Sequence, residues 1–381
     1  MKRLHLITSR LALVANLAGH LPDRLMRLLD LSVLIQVHEV HEQLIVVIRG
    51  NLDMGGRRLG SRIIRAVVAT STLFAVGQRI SVLVNSAAGS NRGLNRTKTL
   101  VADLADRGWT VDLLKAGSAG EVASAIDGAR TAGAGRLILA GGDGLIHHAL
   151  PALVDSSIVV GIVPVGTGND FCRGLGLPTK RRAALGEATG ESVIAVDVIR
   201  VAFADRVHYA ATVLTAGFSG RVNRRANEMS RRRLLPKGAS RYTIATLAEL
   251  AALEPVPFRL RFDDDEPLDQ AACLIAVGNT RFFGGGMSVC PDAVYDDGAL
   301  DVTVIEAVSR PTFASVLPLV FSGHHVRHAS VSQRRCQRLS VTTGEPLWAD
   351  GELLEQGEPA SVEANVSVLP GALLVASRSL A

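Results

Sequence analysis

From Arg79 onward the apolar positions of the chain fall into short runs that alternate with stretches of helical period. R-I-S-V-L-V-N at 79–85 reads as a strand, and the loop residues after it lead into a helix near Thr97 to Arg107. A strand from Trp109 to Leu114, a helix from Ala119 to Ala132, a strand from Arg136 to Ala140, a helix from Leu145 and a strand from Ile158 to Val163 continue the alternation. Nearly unbroken apolar strands between helices predict a parallel sheet covered on both faces.

After about residue 193 the rhythm turns to strands. V-I-A-V-D-V-I-R-V-A-F-A at 193–204 and V-H-Y-A-A-T-V-L-T-A-G-F at 207–218 predict a hairpin. One helix, Tyr242 to Leu253, follows and is ended by Pro255 and Pro257. Further short apolar segments make the rest mainly β, with D-D-G at 296–298 expected as a hairpin turn. The predicted class is α/β followed by β: an α/β domain over 79–200, a β-rich domain over 201–365, and a segment 366–381 returning to the first. Residues 1–78 hold ten Lys or Arg against five acids and show no regular strand and helix pattern. They read as an N-terminal extension, poorly ordered and without assigned function.

Composition narrows the partners. A chain of 381 residues suggests two domains, and a net charge of +5 with a pI near 9.3 favours a nucleotide, a nucleic acid or an anionic membrane face. Residues 221–241 concentrate seven Arg and one Lys against one Glu. Aromatic residues make up only 4% and none lies within 221–241, so no stacking platform favours nucleic acid. Cys172, Cys273, Cys290 and Cys336 have neither paired nor metal-type spacing, which fits a reducing, cytoplasmic setting. No run of eighteen uncharged apolar residues predicts a membrane span, and residues 1–30 do not match a signal peptide.

Three strand ends of the first domain release Gly-rich loops. They are Asn85, Ser86, Ala87, Ala88, Gly89 and Ser90; then Gly141, Gly142, Asp143 and Gly144; then Gly166, Thr167, Gly168, Asn169 and Asp170. In a parallel sheet the carboxyl ends of the strands share one edge, so the three loops can converge on one ligand. Glycine lets backbone N–H groups approach a phosphate, and the following helix N-terminus favours its charge. A carboxylate in such a loop holds a metal, caps a helix or handles a proton. Asp170 could equally be the N-cap of a helix from Phe171, and D-D-G and A-D-G-E could equally be surface turns.

The order of motifs is more specific than any one of them. N-x-x-x-G, G-G-D-G, P-x-G-T-G-N-D-F, G-G-G-M-x-V-C-P-D-A-x-x-D-D-G-x-L-D-V and D-G-E follow one another across about 79–377. This series resembles the diacylglycerol kinase catalytic family of soluble bacterial lipid kinases, relatives of sphingosine and ceramide kinases. G-F-x-x-x-V-N-x-R-A-N-x-M at 217–229 and P-x-P-F-R-L at 255–260 look most like its actinobacterial members. The resemblance implies a Rossmann-like α/β domain, a β-sandwich-like domain and an active site in the cleft between them. It implies transfer of the γ-phosphoryl group of ATP to the hydroxyl of diacylglycerol, giving phosphatidic acid, with Mg²⁺ required. A sphingoid base or another lipid alcohol is the alternative acceptor, and a non-catalytic binder is a third reading.

Carried over by position, Ser86 to Ser90, Ala116, Gly142 to His148 (with Leu145, Ile146 and His147 between) and Thr167 would line the nucleotide site. Asp297 and the backbone carbonyls of Val294 and Ala299 would hold a structural Mg²⁺. Glu352 would be the general base, with Asp143 beside it as a second catalytic carboxylate. Leu145 stands where the family has Thr, and His147 and His148 where it has Asn-Glu. The two imidazoles are expected to face solvent or the nucleotide. The basic run at 221–241 implies peripheral contact with an anionic membrane at its inner face. Homodimerisation is left open.

Overall fold

The computed structural model describes residues 34–40, 43–53, 58–68, 78–85, 91–231, 239–354 and 362–378. The chain divides into two units, Met1–Ser71 and Thr72–Ala381. The first unit holds strands β1 (Leu34–Val40), β2 (Gln43–Asp53) and β3 (Arg58–Val68), which form a three-stranded antiparallel sheet in the order β1-β2-β3. The apolar pattern alone predicts none of these strands. Their Ile and Val runs favour extended backbone, but Arg49, Arg58, Arg62 and Arg65 break the alternation that would reveal it.

The second unit opens with β4 (Gln78–Asn85), α1 (Asn91–Ala105), β5 (Trp109–Ala116), α2 (Ala119–Thr131), β6 (Arg136–Gly141), α3 (Asp143–Leu153) and β7 (Val159–Pro164). The strands lie in the order β5-β4-β6-β7 and are parallel. Successive residues of each strand point to opposite faces, and both faces are apolar. Leu83, Leu137, Leu139, Val160 and Ile162 pack under Val122 and Ile126 of α2 and Leu150 and Leu153 of α3. On the other face Ile80, Val82, Ile138 and Val163 pack against Leu100 and Leu104 of α1. The covered parallel sheet expected from the sequence is therefore present.

The chain continues through α4 (Asp170–Gly174), α5 (Arg181–Ala188), β8 (Ser192–Ala202), β9 (Val207–Ala210), β10 (Val213–Gly217), α6 (Phe218–Arg231) and α7 (Ala239–Ala251). Next come β11 (Val256–Phe262), β12 (Leu268–Gly278), β13 (Phe282–Phe283), β14 (Met287–Ser288), β15 (Leu300–Glu306) and α8 (Arg310–Val316). The last elements are β16 (Val331–Cys336), β17 (Arg338–Thr343), β18 (Trp348–Ala349), β19 (Glu352–Leu353) and β20 (Val362–Ser377). The antiparallel path β19-β18-β10-β12-β11-β17 joins the parallel strands through β20. One edge of β20 pairs with β17 over Val362–Ser367 and with β7 at Leu374 and Val375, while β8 runs along the other edge.

Two expectations need correction. The run 207–218 is not one strand of a hairpin. Val207–Ala210 pairs with β8, whereas Val213–Gly217 pairs with β12 and β18. The break falls at Ala211 and Thr212, whose N–H groups donate to the Asp350 carboxylate instead of to a ladder. Nor is D-D-G a hairpin turn: it precedes β15, whose neighbours are β12 and β16.

What holds D-D-G is Asp197, fully buried on β8. The β8 to β20 ladder slips between Leu369 and Leu373, opposite Asp197, and Gly371 takes a φ of +60° within that bulge. Asp197 Oδ1 accepts from Gly371 N at 2.6 Å and Oδ2 from Gly298 N at 2.7 Å, while Asp197 N donates to Tyr295 O. A buried carboxylate is tolerated when N–H donors replace its lost water. Replacing Asp197 by Ala leaves two amides without that acceptor, at about 1–3 kcal/mol each. Urea unfolding is expected to show Asp197→Ala destabilised by about 2–6 kcal/mol, with Asp197→Asn between it and the parent.

Candidate active site

The sheet brings two of the predicted loops into backbone contact. A Cβ placed on Gly166 would lie 2.9 Å from Gly142 Cα, closer than real side chains come, so Gly166 requires glycine, and a Cβ on Gly142 would meet Gly166 Cα tightly at 3.2 Å. Gly142 is the N-cap of α3, and no side chain caps that helix. The amides of Asp143 and Gly144 are thereby left for an anion, while those of Leu145 and Ile146 donate to Gly142 O. Gly166 and Thr167 are exposed beside it. Asn85 ends β4 on the same edge of the sheet, and Ser86, Ala87, Ala88, Gly89 and Ser90 lie outside the described residues.

The carboxylates knit the loops together. Asp143 Oδ1 accepts from Phe171 N at 3.2 Å, so the helix from Asp170 is capped from another loop and not by Asp170 itself. A Cβ on Gly168 would sit 3.0 Å from Asp143 Oδ2. Asn169, held at a φ of +52°, donates through Nδ2 to Gly166 O at 2.9 Å. Asp170 Oδ2 accepts from Gly285 N at 2.7 Å, which draws the Gly284–Gly286 loop against the site. Those three glycines have φ of +61°, +87° and +106°. These glycines open the G-G-G-M motif, and no local signal in the sequence indicates their contact with Asp170. Burial and the nearby Asp143 charge push the Asp170 carboxyl up, against the Gly285 amide and Arg173. Asp170 Oδ1 and Asn169 Oδ1 are buried with no partner among the described residues, as polar atoms at a ligand site can be.

Glu352 arrives from the β region. Trp348–Ala349 pairs with Glu352–Leu353, so Asp350 (φ +53°) and Gly351 (φ +87°) form a two-residue hairpin turn. A Cβ on Gly144 would lie 3.3 Å from Glu352 Oε1, which puts that carboxylate over the first turn of α3. Asp350 is a buried anchor and not a surface charge. It accepts from Thr212 Oγ1 at 2.5 Å, Thr212 N at 2.8 Å, Ala211 N at 3.0 Å and His147 Nδ1 at 3.1 Å.

His147 therefore does not face solvent, and its side chain is only 11% exposed. Burial disfavours the charged imidazole, but the Asp350 hydrogen bond and charge, with the Glu352 charge, raise its pKa above the ordinary 6.5. Burial alone would raise the Asp350 carboxyl, and its bonds to His147, Thr212 and Ala211 carry it below the ordinary 3.8. His148 is lowered by partial burial and by His147, against Glu352. Leu145 and Ile146 turn their side chains into the core, and their N–H groups donate to Gly142 O, so neither presents a donor to a nucleotide. A Cβ on Gly141 would lie 2.8 Å from Leu145 Cβ, so Leu145 fills the space that this glycine leaves. The Ala116 methyl is likewise buried in the core.

At the other candidate position, Asp297 Oδ1 accepts from Ala299 N at 3.1 Å and Oδ2 meets the half-exposed Arg335 guanidinium. Val294 is partly exposed. One carboxylate and two carbonyls form an all-oxygen donor set of the kind Mg²⁺ takes, completed by water. In this structure the Asp297 carboxylate is occupied by the Arg335 guanidinium, which a cation at this position would have to displace. Among the described residues, no cluster of three or more His, Cys, Asp or Glu side chains forms a metal site.

Residues 79–201 match the diacylglycerol kinase catalytic domain, and residues 212–377 match the YegS C-terminal NAD kinase beta sandwich-like domain. A diacylglycerol kinase of Mycobacterium tuberculosis (strain H37Rv) is 34% identical over 300 residues, covering 78% of this chain and 94% of that one. "Probable lipid kinase YegS-like" of Xanthomonas campestris pv. campestris is 27% identical over 280 residues, covering 71% and 88%. A crystal structure of a diacylglycerol kinase from Bacillus anthracis str. Sterne superposes with a TM-score of 0.57 at 19% identity, covering 79% of this chain and 97% of that one, and shares the fold. The chain belongs to the diacylglycerol kinase family of lipid kinases. Its reaction class is phosphoryl transfer.

Two predictions follow from the geometry. Gly166→Ala forces the G-G-D-G and G-T-G-N-D loops apart, and calorimetric titration is expected to show ATP affinity lowered at least about tenfold. For the His147–Asp350 pair, a raised imidazole pKa stabilises fully below about 6.5 and is lost as pH rises through the raised value. A lowered carboxyl pKa stabilises above about 3.8 and is lost as pH falls through the lowered value. The melting-temperature gap between parent and His147→Ala is expected to be larger at pH 5.5 than at pH 9.

Proposed function

We propose that this chain transfers the γ-phosphoryl group of ATP to the hydroxyl of diacylglycerol, giving phosphatidic acid, with Glu352 as general base. The observation that carries this reading is the Glu352 carboxylate over Gly144, at the amide-lined start of α3. Phosphoryl transfer needs positioning and charge neutralisation more than covalent help. The Gly142–Gly144 and Gly166–Gly168 backbones bind and orient the triphosphate. Glu352 takes the hydroxyl proton, the alcohol oxygen bonds to the γ-phosphorus, and the bond to ADP breaks with its electron pair leaving on ADP. Asp143 acts beside it by fixing the two loops through Phe171 N. Asp297 and the Val294 and Ala299 carbonyls would hold a structural Mg²⁺, which would add positive charge to the D-D-G loop that Asp197 already anchors.

A lipid acceptor requires contact with a membrane. Among the described residues no helix is long and apolar enough to cross one, so the proposed contact is peripheral, with an anionic cytoplasmic face where ATP is available. Not all of the basic run is free for it. Arg221 donates to Glu254 O and faces Glu345, and Arg225 pairs with the buried Glu249. Arg224 is exposed, and so are Tyr242, Ile244 and Leu247 of α7, a mixture suited to a lipid surface.

The test is transfer of label from [γ-³²P]ATP with Mg²⁺ to diacylglycerol, ceramide or sphingosine in mixed micelles. Labelled phosphatidic acid from the parent is expected, with Glu352→Gln reduced by at least about a hundredfold. Labelling of sphingosine or ceramide alone would replace the acceptor, and labelling of none would remove the kinase reading. EDTA is expected to abolish the transfer.

A further inference from the structure

Glu352 is a short, exposed carboxylate on a two-residue strand, and its own ladder partner is one residue, Ala349. Its position over α3 must therefore be set by the turn before it. Four groups among the described residues donate to the Asp350 carboxylate of that turn. Three of them, Ala211 N, Thr212 N and Thr212 Oγ1, come from the link between β9 and β10, and β10 pairs with β18, the strand that leads into the turn. The fourth, His147 Nδ1, comes from α3, one helical turn after Gly144. The phosphate loop and the Glu352 turn thus meet at two neighbouring points on one helix: Gly144 under the carboxylate, and His147 bonded to its anchor.

We propose that His147 is a positioning residue for phosphoryl transfer, clamping the Asp350–Gly351 turn to α3 so that Glu352 is held over the phosphate loop. The inference rests on the reading of Glu352 as the base. His147 touches neither the hydroxyl nor the phosphate in this role. It fixes the gap across which the proton moves, and a misplacement of about 1 Å at such a gap can cost a hundredfold in rate.

The experiment compares steady-state kinetics of the parent with His147→Ala, His147→Asn and Glu352→Gln, after circular dichroism and thermal melts confirm folding. An asparagine amide N–H can stand where Nδ1–H stands and restores the bond to Asp350. His147→Ala is expected to lose about a hundredfold in kcat with KM for ATP within about twofold, and His147→Asn to stay within about threefold of the parent. Parent-like kcat in His147→Ala overturns the clamp, as does an equal loss in both His147 variants or a loss confined to KM. If Glu352→Gln keeps full turnover, the base reading itself fails. If it is inactive while His147→Ala is not, the clamp alone fails. Should the parent phosphorylate no lipid, hydrogen exchange decides: faster exchange at 348–353 in His147→Ala than in His147→Asn supports the clamp, and equal exchange overturns it.

Discussion

The second unit hangs on a buried carboxylate. Asp197 lies opposite the one irregularity in the long β8–β20 ladder and fills it, accepting from Gly371 on one side and from Gly298 of the D-D-G loop on the other. Its carbonyl accepts from Asn279 Nδ2, which also donates to Ala211 O. Asn279 N and Thr280 N donate to Thr212 O, and Ala211 and Thr212 in turn hold Asp350. A continuous chain of hydrogen bonds so runs from the joint between the parallel and antiparallel strands to the turn that carries Glu352. Because every link is buried or partly buried, each is costly to break and the turn inherits the rigidity of the sheet.

Glycine does the opposite work at the loops. Gly142 and Gly166 let two backbones approach to a distance no side chain permits, and Gly168 leaves room for Asp143. Phosphate binding by amides needs such closeness, and rigid strands behind the loops keep it. The Leu145 departure fits the same logic. Its side chain belongs to the core under β6, where Gly141 leaves it space, so the start of α3 presents backbone alone.

Much of this was legible in the sequence, for identifiable reasons. Strands β4 to β7 and their helices have short periods and contacts near in sequence, and apolar residues on both faces identify the covered sheet. The loops 141–144 and 166–170 could be placed together because parallel strands share one carboxyl edge. What stayed hidden depends on distant pairs. His147 meets Asp350 across 203 positions, and Asp170 meets Gly285 across 115, so no local pattern carries either contact. The D-D-G turn and the 207–218 run misled because their local signals are those of hairpins, whereas Asp197 and Asp350 redirect their amides. Strands β1 to β3 were missed because interspersed arginines hide an alternation that neighbouring strands complete.

In the proposed reaction the γ-phosphate of ATP lies between the glycine loops and Glu352. A crystal structure of the chain with a non-hydrolysable ATP analogue and Mg²⁺ tests it most directly. Triphosphate oxygens are expected on the amides of Gly142–Gly144 and Gly166–Gly168, with the terminal phosphate facing Glu352. A triphosphate bound away from these loops, or a terminal phosphate turned from Glu352, would contradict it.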